Sequence, residues 1–395
     1  VIFNELSYFI LFLLPCVAVF HGSSAAARPW ALVFFGVTFF VYFGFLHFGG
    51  AWGALCVLIF AWELLVSRLY KERSAFCVVG IIQAVLILFI FKYTRFFTIA
   101  WNDLAGQVSL PRLSGPPPLV FPLGISFFTF EFIHFAVESY RGRIRSPPVG
   151  HYAAFIFFFP TMVAGPIKRY PEFEKELLHA RFSASRFSQG ITRILAGLVK
   201  KHFFADTFTL WSDNLQTPAA FQAGRGALLG WIFAYGMKIY FDFSAYSDIA
   251  IGSGYLFGIE IPENFDWPYF SRNISEFWRR WHMSLGRWIF DYIYVPLGGS
   301  RGGELRTALN LILAFTISGL WHGAAYNFVV WGACHGVFMV VHRLWARHVA
   351  ARGIALPALA SQGLTFLCVN FAWGFFAMDM GRAWRVFGRI FGVFQ

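Results

Sequence analysis

Two histidines carry the strongest chemical signal in the chain. His322 sits in Gly319-Leu320-Trp321-His322-Gly323-Ala324-Ala325, within an apolar run. An ionisable side chain in an apolar span is costly and by default marks function. The small residues that follow let another backbone, or a substrate, come close, and a desolvated imidazole stays neutral and able to accept a proton. The plainer alternative is a histidine held by an interhelical hydrogen bond. His282 lies in Asn273–Tyr292 (NISEFWRRWHMSLGRWIFDY), directly after Arg279, Arg280 and Trp281. Its plainer alternative is a polar residue touching lipid headgroups. Asp242 and Asp248 flank Tyr246 in YFDFSAYSD, six residues apart in apolar surroundings. Lys238 precedes Asp242 by four residues, so a neutralising helical pair is the simplest account, and a proton pathway is the other. His335 and His342 are seven apart on one helical face, yet no third ligand stands at metal spacing, so no metal is expected. Walker A, GxGxxG and GxSxG patterns are missing from the sequence, which removes the usual support for nucleotide-driven pumps, dehydrogenases and hydrolases.

The elements that hold these residues must be membrane helices. Of 395 residues, 58% are hydrophobic and 13% charged, against roughly 25% charged in an ordinary soluble chain. Mean hydropathy is +0.59. No soluble fold buries that much apolar surface, so cytosolic enzymes, disordered scaffolds and nucleic-acid readers are excluded. The net charge of +12 then belongs to loops that contact anionic headgroups rather than nucleic acid. Cys16, Cys56, Cys77, Cys334 and Cys368 are scattered in apolar stretches and read as small core residues.

A span takes about 20 mostly apolar residues. Candidates are 4–20, 30–48, 52–67, 76–92, 119–138, 190–211, 226–257, 307–321, 325–345 and 363–380. The first lacks a signal peptide's basic start and cleavage site. The chain opens on Val1 rather than Met and closes on apolar FGRIFGVFQ, which leaves room for clipped ends and further spans beyond them. Phe155–Pro166 is apolar but interrupted by Pro160, Gly165 and Pro166, so a re-entrant segment is expected there. In 273–292 a stripe of Ile274, Phe277, Trp278, Trp281, Leu285, Trp288, Ile289 and Tyr292 has helical spacing. Asn273 and Glu276 form a capping-box pattern at its start, and Arg279, Arg280 and Arg287 occupy the opposite face. One helix lying in the membrane interface is expected. Arg28, Arg68/Lys71/Arg73 and Arg141/Arg143/Arg145 fall on one side, joined after the re-entrant segment by Lys168, Arg169, Lys175, Arg181 and Arg186. The positive-inside rule makes that side cytoplasmic, with the N-terminus and the Pro111–Pro122 loop outside.

Taken in order, the motifs resemble the membrane-bound O-acyltransferase family, in its bacterial polysaccharide-modifying, alginate-like branch. They are Phe121-Pro122-Leu123-Gly124-Ile125-Ser126-Phe127-Phe128-Thr129-Phe130, Phe159-Pro160 with Ala164-Gly165-Pro166-Ile167, and Phe241-Asp242-Phe243-Ser244 with Tyr246-Ser247-Asp248. Glu276–His282, Asp291-Tyr292, Pro296-Leu297-Gly298-Gly299 and Trp321-His322-Gly323 complete the set, covering about 120 to 345. The resemblance implies an all-α polytopic membrane protein of ten or more spans, ringed around a central funnel. It divides into N-terminal helices 1–118, a catalytic core 119–345 and a C-terminal segment 346–395. It implies His322 as general base and His282 as the second catalytic histidine, orienting the donor or stabilising developing charge. Trp281, Arg279, Arg280, Trp321, Asp242 and Tyr246 are carried over as substrate-side residues, with Arg279 and Arg280 facing donor phosphates or lipid headgroups. The implied reaction takes an acetyl group from cytoplasmic acetyl-CoA, with no bound cofactor, toward an extracytoplasmic polysaccharide, with an outer-face acetyltransferase as partner, in a bacterial inner membrane.

Two other functions fit parts of the pattern. D-alanine transfer from a carrier protein to teichoic acid would use the same core, and a dedicated carrier would distinguish it. A proton-coupled transporter would use Asp242, Asp248 and His322 as a relay; against it, the chain shows one broken segment and no inverted repeat.

Overall fold

The computed structural model describes residues 2–48, 59, 61–63, 65–67, 74–115, 123–144, 147–354 and 356–393. Most of the candidate span 52–67 lies outside them, as do Cys56, Arg68, Lys71, Arg73, Pro116–Pro118, Phe121, Pro122 and Arg145. Among the described residues the structure is helical, with one isolated antiparallel bridge between Phe265 and Trp281. The chain divides into two compact units: Val1–Ala196 with Tyr246–Pro262, and Gly197–Ala245 with Glu263–Gln395.

The first unit contains α1 (Tyr8–Gly22), α2 (Arg28–Phe48), α3 (Ala75–Val108), α4 (Ile125–Tyr140), α5 (Val149–Ile156), α6 (Tyr170–His179) and most of α7 (Ala184–Val199). Phenylalanine dominates its core: Phe3, Phe39 and Phe159 pack around Tyr8, whose hydroxyl meets Ser253 at 2.9 Å, and Phe12 and Phe43 pack against Phe39. The expected span 76–92 is only the first part of α3. That helix continues to Val108, where Ser109 turns left-handed (φ 56°) and Pro111 prevents its resumption.

The expected break in 155–166 is present. α5 stops at Ile156, one 3-10 turn covers Phe159–Thr161, and non-helical chain leads to α6. Buried side chains reach its backbone and its Thr161 hydroxyl. The Tyr246 hydroxyl donates to the Pro160 carbonyl (3.2 Å) and accepts from the Ala164 amide (3.4 Å). Lys168, expected in a solvated basic loop, is instead 2% exposed. Its ammonium donates to Glu131 at 2.5 Å and to the Thr161 hydroxyl at 2.8 Å, and lies 5.0 Å from the Phe155 ring centroid. A buried cation needs such a partner, and the partner comes from α4, inside an otherwise apolar run. α6 starts where the Tyr170 amide donates to His134 Nε2 at 2.9 Å.

The second unit continues through α8 (Asp206–Ser212), the first part of α9 (Arg225–Phe257), α10 (Ile274–Arg280), α11 (Met283–Ile289), α12 (Gly303–His322), α13 (Tyr326–His348), α14 (Ala358–Ala377) and α15 (Met380–Phe391). α12 and α13 form a close antiparallel hairpin. A Cβ on Gly319 would collide with the Phe328 carbonyl oxygen, and one on Gly332 with that of Phe315. Small residues at the contact let two membrane helices meet backbone to backbone.

Every candidate span within the described residues is helical. By length and composition, three helical stretches among the described residues suffice to cross a membrane: Ala75–Val108, Tyr326–Arg352 and Ala358–Ala377. Tyr8–Gly22, Arg28–Gly44 and Val149–Thr161 are apolar but shorter. An all-helical membrane protein is what these elements make.

Candidate functional site

The predicted interfacial helix 273–292 is two helices, not one. Its start is as expected: Asn273 Oδ1 accepts from the Glu276 amide at 2.8 Å. The Glu276 carboxylate reaches back to the Arg272 amide, also at 2.8 Å. The helix then ends at Arg280. Trp281 is extended (φ −107°, ψ 126°), and His282 is left-handed (φ 44°, ψ 54°) before α11 begins. For a residue with a Cβ that conformation costs about 1–3 kcal/mol and persists only when the surroundings enforce it.

The enforcing element is the loop at 263–267, which sequence reasoning missed. The Asp266 amide donates to the Arg280 carbonyl (3.0 Å) before the break, and the Met283 amide donates to the Asn264 carbonyl (3.0 Å) after it. Asn264 is fully buried, and its Oδ1 accepts from the Ser284 hydroxyl (2.6 Å) and the Ser284 amide (3.3 Å). Asn264 thus holds both sides of the residue that follows His282. Trp281 faces the other way, into an aromatic core of Phe265, Phe277, Tyr269 and Trp373, with ring centroids 5.0 to 5.9 Å away.

His322 approaches His282 from the α12–α13 hairpin. It is the last residue of α12, not a mid-span residue, because Gly323 leaves the helix in extended geometry. The two imidazole centroids are 6.4 Å apart. Trp321 lies 4.7 Å from His322 and 6.4 Å from His282. Phe243 stands edge-on to His282 at 4.6 Å, while Trp331 and Phe376 stand edge-on to His322 at 5.2 and 5.4 Å. The chamber is therefore aromatic, and a third imidazole, His335, stands 4.9 Å from Trp331 in its wall. His282 is 2% exposed, and both of its ring nitrogens are buried without a hydrogen-bond partner. Trp331 Nε1 and His335 Nε2, in the same chamber wall, are also unpartnered. Buried polar atoms are rarely left so, and an orphaned imidazole beside a second imidazole is suited to meeting a polar group on a ligand.

The other predicted residues divide. Trp281 and Trp321 flank the histidines. Arg280 is tied to Glu276 at 2.8 Å, whereas Arg279 lines a separate cavity. Asp242 does not pair with Lys238. It meets Lys201 at 2.8 Å, and Lys238 meets Asp213 at 2.8 Å. Helical spacing permitted the local pair, but cations on neighbouring segments reach these carboxylates first. Lys201, which also meets Asp206 at 2.9 Å, lies in a π-helical turn, Lys200–Ala205, that spacing alone did not suggest. Asp248 pairs with Arg193 at 2.5 Å. Tyr246 belongs to the first unit, where its hydroxyl serves the broken segment. His335 accepts from the Trp278 indole at 3.3 Å. No group of three or more metal-capable side chains exists among the described residues.

Comparison with known proteins places this site in context. The sequence pattern described as MBOAT, membrane-bound O-acyltransferase family, matches residues 119–373. The chain is similar to the probable alginate O-acetylase AlgI of Pseudomonas aeruginosa, 37% identical over 91% of this chain and 66% of that protein. It is similar to the protein of the same description in Azotobacter vinelandii, 33% identical over 99% and 78%. The peptidoglycan O-acetyltransferase of Helicobacter pylori is 34% identical over 81% and 65%. The chain thus spans about two thirds of the length of the first and third of these relatives.

Proposed function

Because the chain belongs to the membrane-bound O-acyltransferase family, we propose that it is an O-acetyltransferase. In this reading it takes an acetyl group from a cytoplasmic thioester, acetyl-CoA, and passes it across the membrane to hydroxyls of an extracytoplasmic polysaccharide, directly or through a partner acetyltransferase. The names of the relatives, O-acetylases of alginate and of peptidoglycan, support both the acyl group and the class of acceptor. The basic loops support a bacterial cytoplasmic membrane with the N-terminus outside, and the apolar runs of the sequence support ten or more spans about a central funnel, with 119–345 as core.

The observation that carries the proposal is the imidazole pair: two histidines 6.4 Å apart, one with both nitrogens unpartnered, in an aromatic chamber. Ester formation needs a base for the hydroxyl proton and a donor for the oxyanion. His322 takes the proton as the acceptor oxygen attacks the thioester carbonyl carbon. The tetrahedral oxyanion accepts a hydrogen bond from a His282 ring N–H. The carbon–sulfur bond then breaks, and the departing thiolate receives the proton from His322, leaving ester and free thiol. Water is kept out by the rings of Phe243, Trp321, Trp331 and Phe376, which strengthens both interactions.

The test uses the native host with this gene deleted and restored by the wild type. Ester-linked groups are released from surface polymers and identified by mass. Acetate that depends on the gene supports the proposal. Alanine in its place assigns D-alanyl transfer, and unchanged ester content removes acyl transfer to a surface polymer altogether.

A further inference from the structure

α13 carries two polar atoms that its own packing leaves unused. Trp331 and His335 lie one turn apart on it, 1% and 0% exposed, with ring centroids 4.9 Å apart. Trp331 Nε1 and His335 Nε2 are both buried without a hydrogen-bond partner among the described residues. Hydrocarbon rings surround them: Phe277 and Phe315 stand 6.5 Å from His335, Phe338 5.8 Å from it, and Phe376 5.1 Å from Trp331. A phenylalanine at either position would fill the same space and strand no polar atom. Packing alone does not call for these two side chains.

Both atoms are donors. An indole nitrogen only donates, so the Trp278 indole N–H donates to His335 Nδ1, at 3.3 Å. That bond requires Nδ1 to be unprotonated, and the proton of the neutral ring is then on Nε2. Two N–H groups thus stand side by side in one wall of the chamber. Trp331 also stands edge-on to His322, at 5.2 Å and 87°, so the pair borders the imidazole that receives the hydroxyl proton. Such a pair suits an oxygen that accepts, a carbonyl or an oxyanion. It has nothing to offer the protons of an ammonium.

We propose that Trp331 and His335 hold the carbonyl oxygen of the acyl thioester, as two further donors beside His282. This assignment rests on the acyl-transfer reading above. As the acceptor oxygen bonds to the carbonyl carbon, the C=O π pair moves onto the carbonyl oxygen, and both N–H bonds to it tighten. When the carbon–sulfur bond breaks, the sulfur leaves with its electron pair, the carbonyl re-forms and both bonds relax. Donors fixed before the charge develops, among rings that exclude water, stabilise it most.

The full chain in nanodiscs is given acetyl-CoA labelled with ¹³C at the carbonyl, and the carbonyl stretch of the bound thioester is read by difference infrared spectroscopy. Wild type, Trp331→Phe, His335→Phe and His335→Gln are compared, the last because its amide can accept from Trp278 and still donate. Steady-state acetyl transfer to a polysaccharide acceptor and the unfolding midpoint are recorded on the same samples. A stretch lowered by wild type and by His335→Gln, and returned toward its free value by both Phe variants, supports the assignment. With it, kcat should fall by about 10²–10³ in the Phe variants, with KM and the midpoint unchanged. Trp331→Phe strands no neighbour, so it carries the test even if His335→Phe, which takes the acceptor from Trp278, fails to fold. A wild type that binds and transfers while folded Phe variants show the same stretch and the same kcat overturns this assignment alone. A wild type that neither binds acetyl-CoA nor transfers acetyl overturns it together with the acyl-transfer reading.

Discussion

Two of the breaks between helices, at 157–169 and at 281–282, are treated in opposite ways. Between α5 and α6, the buried Lys168 ammonium meets Glu131 and Thr161, and the Tyr246 hydroxyl serves both Pro160 and Ala164. Between α10 and α11, Asn264 and Asp266 satisfy the backbone, yet both ring nitrogens of His282 are left without a partner. A broken backbone is therefore not by itself a sign of chemistry. The first break spends its polar groups on holding itself in place. The second holds an imidazole in a left-handed conformation and leaves its nitrogens free for something else.

This contrast can be broken or sharpened by substitution. The largest effect on folding should come from the first break: Lys168→Met strands the Glu131 carboxylate and should cost about 3–5 kcal/mol, seen as lost folded yield. A Lys168→Met/Glu131→Leu double variant should recover most of it. If the single variant folds as well as wild type, the ion pair is not what secures that segment. At the second break the effect should fall on rate. His282→Asn tolerates the left-handed backbone but removes the imidazole, and transfer should drop by about 10²–10³ with thermal stability kept. A parallel loss of stability would make His282 structural like Lys168. Asn264→Leu removes the acceptor for Ser284 and should cost about 1–3 kcal/mol. Its activity should fall mainly in kcat, because the clamp positions His282 rather than binding substrate; a change confined to KM would contradict that role. The smallest effect is expected at Lys238, whose pair with Asp213 is well exposed on the carboxylate side. Lys238→Ala should stay within about 1 kcal/mol of wild type in thermal unfolding, and a larger shift would mean the surface pairs matter as much as the buried one.

Much of this was legible in the sequence, and the misses have physical causes. Apolar run lengths gave the helical class, and the Trp-His-Gly and Glu276–His282 motifs picked out the two histidines that the fold brings together. The break at Trp281–His282 was hidden because the aromatic stripe of 273–292 keeps helical spacing straight across it. What makes the break is Asn264, some 18 residues upstream, and no local pattern announces a clamp of that kind. Lys168 looked like another basic loop residue because its partner, Glu131, sits alone in an apolar run with no spacing relation to it. Lys238 and Asp242 satisfied the i, i+4 rule, yet each found a partner outside its own helix. Periodicity reports local geometry, whereas charges settle where tertiary structure brings the nearest counter-ion.

The central claim is that His322 does chemistry in a chamber whose fold does not depend on it. The most direct measurement reconstitutes wild type and His322→Ala in nanodiscs and compares single-turnover acetyl transfer from acetyl-CoA to a polysaccharide acceptor, with thermal unfolding recorded on the same samples. Transfer reduced by about 10²–10⁴ or more with an unchanged unfolding midpoint is the result expected. Near-wild-type transfer by a folded His322→Ala protein would contradict the account.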